Sequence, residues 1–236
     1  MTPAEAKDYI HDQITAGIMV EIEWAERAKT IAYEIGKYAA PINAAHFGNL
    51  FFDVQLAMSD RQSLSITKMY DPPHGQFPTR SIPALLAFLK KHAVVIQIEQ
   101  PHVLHNLLLL NGQSPYRVAR LREKQITLDV VKHYQKILPH TAKDPALEAI
   151  RLYRNKLAAH NQRYDQARQR VKWDEADKLV DAAKSFIQVI SYAYVGLYLG
   201  TSLDMYQASS LKCAQLADEL RRLVERANLS PKQSDE

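Results

Sequence analysis

The 236-residue chain carries a single cysteine, Cys213. One thiol cannot close an internal bridge, which excludes a disulfide-stapled fold and fits a reducing compartment. Glycine is scarce too, at 7 residues, and none of them builds a Gly-rich phosphate loop. A Gly-x-Ser-x-Gly elbow and a His-Glu-x-x-His pair are also missing, so nucleotide-driven and metalloprotease chemistry have no support. Long apolar runs are absent. The richest stretch, residues 186–199, is shorter than the ~20 residues of a bilayer span and is broken by Gln188, Ser191 and tyrosines, so it reads as a buried helix. The first residues lack the apolar run of a secretory signal. A cytoplasmic protein with no membrane association is expected.

What is present favours helix. The chain is 47% hydrophobic, enough for one substantial core. A surplus of Ala, Leu, Glu, Lys, Arg and Gln suits the residues that lose least on entering a helix, so the expected class is all-α. The net charge of +4 and pI of about 9.0 hint only weakly at polyanions. The charge is concentrated, however. Arg151, Arg154, Lys156, Arg163, Arg168, Arg170 and Lys172 face one nearby acid, Asp165, and the rest of the chain is slightly acidic.

Ile10, Ile14, Ile18 and Ile22, continued by Ala25, Ala28, Ala32 and Ile35, predict one long amphipathic helix over 3–38. Pro41 restarts the chain, and Phe47, Leu50, Phe51, Val54 and Met58 begin a second helix running towards Met69. Three prolines make 71–79 a loop. Ser81 then caps a third helix carrying Leu85, Phe88 and Leu89, which ends by Pro101, and a short helical piece follows around 103–110. Ser114-Pro115 opens a helix expected to reach Leu138, with Arg117, Arg120 and Lys124 on one stripe. Asp144-Pro145 opens another, carrying Leu147, Ile150 and Leu157 towards His160. Leu179, Ala183, Phe186, Ile187, Ile190 and Tyr194 mark a long helix from the acidic start at 174–177 to Tyr198. A last amphipathic helix at about 209–227 precedes a polar tail, 229–236, expected to be disordered.

The heptad Arg154-Asn155-Lys156-Leu157-Ala158-Ala159-His160 closes the Asp144-Pro145 helix inside the most basic part of the chain. A permanent cation, an amide and a titratable imidazole suffice for phosphodiester hydrolysis without a metal. On a straight helix His160 is rotated about 120° from Arg154, so the two converge only if the helix distorts or ends, or if a second copy completes the site across a two-fold axis. The alternative is that both side chains simply cap a helix C-terminus, where cations are favoured. Tyr153, Tyr164 and Trp173 flank the segment and suit base stacking, although aromatics at such spacing more often belong to a core. His102-x-x-His105 beside Glu99 is a poor metal site, since Pro101 interrupts it and no cysteine assists.

The Arg154-Asn155-Lys156-x-x-Ala159-His160-Asn161 motif resembles the HEPN superfamily, especially its abortive-infection AbiU-like branch. Upstream, Ile66-Thr67-Lys68-Met69-Tyr70-Asp71-Pro72, a loop, and Ser81-Ile82-Pro83-Ala84-Leu85-Leu86 resemble the branch's pattern of apolar helix end, Asp, loop and leucine-rich helix. Together the resemblance spans about residues 10–198. It implies an all-α HEPN-like bundle with a long N-terminal helix, placed over 1–205, and leaves outside it the amphipathic C-terminal helix, placed as an accessory element at 206–228. It also implies Arg154 and His160 as a catalytic pair with Asn155 in support, in a metal-independent endoribonuclease that needs no cofactor. Arg151, Lys156, Arg163, Tyr164 and Arg168 are the expected RNA-binding residues. RNA, a second copy of the chain and an antitoxin protein are the expected partners. Some HEPN members are instead inactive interaction or dimerisation modules, and that alternative stays open.

Overall fold

A computed structural model describes residues 1–75, 79–139, 144–155, 173–197 and 204–226, with backbone alone at 173 and 204–210. It is helical, with no strand among the described residues. The long N-terminal helix forms as the isoleucine and alanine stripe requires. It consists of α1 (Pro3–Gln13), a π-helical turn (Ile14–Ile18) and α2 (Met19–Lys37). Thr2 and Glu5 close a reciprocal capping box at its start. Its stripe from Ala6 through Ile10, Ile14, Ile18, Ile22 and Ala25 enters the main core.

Helix α3 (Ala39–Ala44) holds Pro41 in its first turn, where a missing N–H costs nothing, so the proline lies inside the helix rather than before it. His46 adopts φ 63° and ends that helix, with Phe47 N–H bonded to Ile42 O and His46 N–H to Asn43 O. Helix α4 (Gly48–Tyr70) then runs back along α2. Helices α5 (Ile82–His92) and α6 (Pro101–Leu110) pack against the helix at Glu123–Ile137. Ser81 caps α5 as expected, its Oγ accepting from Ala84 N–H at 3.3 Å.

The single helix expected from Pro115 to Leu138 is two, α7 (Pro115–Val118) and α8 (Glu123–Ile137). Arg122 is extended, at φ −80° and ψ 156°, and the break folds Arg117 back so that its Nη2 reaches the buried Asp129 carboxylate at 3.1 Å. Twelve residues along an unbroken helix would separate them by ~18 Å. The proposed Arg117, Arg120 and Lys124 stripe is thereby dismantled. Helix α9 (Pro145–Tyr153) starts at Asp144, whose Oδ1 accepts from Leu147 N–H at 3.0 Å. Helix α10 (Trp173–Ile190) buries the whole predicted stripe. A π-turn (Ser191–Val195) extends it to Gly196, at φ 71°, short of the expected Tyr198. The last helix, α11 (Asp204–Arg226), begins earlier than read and packs on α2. Its Val224 joins Ile35 and Ile42 in a small second core.

Helices α1, α5, α8, α9 and α10 and the C-terminal end of α4 surround the main core, and this fixes where α4 ends. Ile66, Met69 and Tyr70 are buried, and the Tyr70 hydroxyl donates to Leu179 O of α10 at 2.6 Å. Burial, then the Asp144 carboxylate, hold the Tyr70 phenol well above its ordinary pKa.

Candidate functional site

Two sequence blocks 83 residues apart meet at the end of α4. Asp71 leaves the helix because Pro72 disfavours helical geometry in the residue before it, and it adopts φ −62°, ψ 136°. Its carboxylate therefore diverges from the α4 ladder towards α9. There the Arg154 Nη1 donates to both Asp71 oxygens, at 3.1 and 3.3 Å. Arg154 Nε donates to Asn155 Oδ1 at 3.1 Å. Both partners are partly buried, with 24% of the Arg154 side chain and 30% of Asp71 exposed. An ion pair with that much water access contributes no more than about 1 kcal/mol to stability, so its main effect is orientation.

The surroundings restrain both partners. The Ser81 hydroxyl donates to the Asp71 carbonyl at 2.7 Å. Arg80 clamps Asp12 of α1 through Nε and Nη2 at 2.9 and 3.1 Å. Gly17, in the π-turn, is what lets Arg80 approach, since a Cβ there would lie 2.4 Å from Arg80 Cβ. On the other side, Leu147 and Ile150 seat α9 in the core, and the Tyr153 hydroxyl bonds Asp60 of α4. Helix α9 widens into π geometry at Arg154 and Asn155, a distortion of the kind that often accompanies functional sites.

The structure brings together Arg154 and Asn155 and adds Asp71, with Arg151 exposed on the neighbouring turn of α9. His160, Lys156, Arg163, Tyr164 and Arg168 lie outside the described residues. Asp71 and Ser81 were visible in the upstream block, yet their link to Arg154 was not assigned. An aspartate that ends an apolar helix before two prolines was the available signal. Asp60, the partner of Tyr153, had no sequence signal. Of the rejected metal candidates, Glu99 accepts from Lys7 Nζ at 2.7 Å and His102 stands edge-on to Tyr192. No group of three His, Cys, Asp or Glu suited to a metal occurs among the described residues. Nor, among them, is any helix long and apolar enough to cross a membrane.

The arrangement defines an all-α bundle in which Arg154, where α9 passes into π geometry, is held by the Asp71 carboxylate at the end of α4. The AbiU2 family model, HEPN_AbiU2, matches residues 11–211, and the chain belongs to that HEPN family. Neither a curated protein nor a solved structure matches the chain.

Proposed function

We propose that the protein is a metal-independent endoribonuclease of an abortive-infection or toxin–antitoxin system, acting on RNA as a homodimer. The observation that carries the reading is the Arg154–Asp71 pair, which joins the two family-like blocks at one point and leaves the Arg154 side chain partly exposed. Two facing motifs would pair each Arg154 with an imidazole. One His160 takes the proton of the ribose 2′-OH as its oxygen attacks phosphorus, and the other protonates the departing 5′-oxygen. Arg154 stabilises the added negative charge of the phosphorane, and Asn155 steadies Arg154. The P–O5′ bond breaks, leaving a 2′,3′-cyclic phosphate and a 5′-hydroxyl.

The test is RNA cleavage by purified protein in excess chelator, with product ends identified by mass spectrometry. His160→Ala and Arg154→Ala are each expected to lower the rate by about 100-fold or more. An unchanged rate in His160→Ala overturns the reading. A second reading, a non-catalytic interaction module, is favoured by the same ion pair, because a cation already neutralised by Asp71 can serve to tie α9 to α4. RNA affinity that falls with salt and survives Arg154→Ala, without cleavage, supports that module.

A further inference from the structure

We propose that Asp71 is a positioning residue for Arg154, with Ser81 acting one step behind it. The kinetic part of this proposal rests on the ribonuclease reading, and the structural part does not. Three observations support it. Asp71 and Asn155 together engage two of the three guanidinium nitrogens, and Nη2 has no bond among the described residues. The Arg154 side chain as a whole keeps a quarter of its surface exposed, so it is held without being sealed off. Asp71 is itself restrained, by the pre-proline backbone, by the Ser81 hydroxyl on its carbonyl and by the Arg80–Asp12 clamp beside Ser81.

An arginine side chain loses much rotamer freedom when it is held in one geometry. Freezing it during folding spares that cost when a phosphate arrives. The same carboxylate has an opposing effect, because its negative charge offsets the guanidinium and repels a phosphodiester in the ground state. Asp71 therefore trades ground-state attraction for orientation. A merely structural ion pair would shift neither property separately.

The test compares wild type with Asp71→Asn, Ser81→Ala and Ser81→Thr, all checked for folding by circular dichroism and melting. In RNA cleavage, Asp71→Asn is expected to lower kcat about 10- to 100-fold while KM stays level or falls. Ser81→Ala moves the same way, and Ser81→Thr, which keeps the hydroxyl, recovers most of the loss. A catalysis-free arm measures phenylglyoxal modification of Arg154 by peptide mass spectrometry. Its rate should rise several-fold in folded Asp71→Asn and Ser81→Ala. An unchanged modification rate overturns the proposal, as does a KM increase with kcat preserved. Wild-type protein that leaves RNA intact overturns the ribonuclease reading alone, and the modification rate then decides the positioning.

Discussion

Replacing Gly17 with alanine puts the loop-anchoring geometry under direct strain. The added Cβ would meet Arg80 Cβ at 2.4 Å, with Cδ and Cγ at 3.1 and 3.2 Å. Carbon atoms prefer about 3.5–4.0 Å, so a displacement of roughly 1 Å is required. Arg80 Cβ is tied to backbone, so the segment entering α5 must move, and no rotamer change relieves the clash. Overpacking of this kind costs about 1–3 kcal/mol, against at most about 1 kcal/mol gained by alanine's better helix propensity. After the full propensity gain the net loss is about 0–2 kcal/mol, or up to roughly 8 °C in Tm for a chain of this size. Gly36 is the internal control. A Cβ there meets only Gln55 Nε2, at 3.7 Å, and Gly36 is exposed in the last turn of α2. Gly36→Ala should raise Tm by at most about 2–4 °C, the gain expected of a helix interior. Urea and thermal unfolding of both variants decide the matter. If Gly17→Ala is as stable as Gly36→Ala, the packing argument for the π-turn is wrong. Because Arg80 neighbours Ser81, Gly17→Ala should also speed phenylglyoxal modification of Arg154.

Burial first, then nearby charge from Asp144 for Tyr70 and from Tyr194 for Tyr134, hold these two phenols above their ordinary value. For Tyr194 burial does the same and outweighs the hydrogen bond to Thr127, which lowers the pKa. The unfolded chain loses these protons first, so stability is intact below about pH 10 and falls as pH rises, by up to about 4 kcal/mol per pH unit if all three remain protonated. Urea midpoints from pH 9 to 11 should show this decline, and a flat profile would contradict it. Tyr70→Phe should cost about 1 kcal/mol at neutral pH through the lost bond to Leu179 O, and should reduce the alkaline slope by about a third. His133 is pushed below its ordinary value by burial and then by Lys136. Here the unfolded chain takes up the proton first, so stability is present above about pH 6.5 and lost as pH falls through the folded value. His133→Gln should flatten the stability profile on the acid side of that point, measured by melting from pH 5 to 7; an unaltered slope counts against the shift.

Most of the helices were legible because their signals are local. The isoleucine stripe of α1 and α2, the Ser81 cap of α5, the Asp144-Pro145 start of α9 and the buried face of α10 each follow from periodicity and end chemistry within one segment. The break between α7 and α8 had no such signal. No proline or glycine stands at 119–122, and the Arg117–Asp129 bond that accompanies the break joins residues twelve positions apart, which no local pattern announces. The π-turn after α10 ends at Gly196 rather than at Tyr198, because a glycine at positive φ stops a helix even where Val195 and Leu197 on either side are apolar.

By itself the sequence determined the helical class, the family-like motif of Arg154, Asn155 and His160, and the helix geometry that prevents Arg154 and His160 from converging on one straight helix. These follow from spacing along one element, which the chain carries in its order of residues. Only the tertiary structure decided that Arg154 is held by Asp71, that Ser81 and Arg80 hold the loop behind it, and that Gly17 makes room for Arg80. Those contacts join residues 10 to 83 positions apart, and they exist because α1, α4, α5 and α9 bury their apolar faces in one core and so bring their ends together.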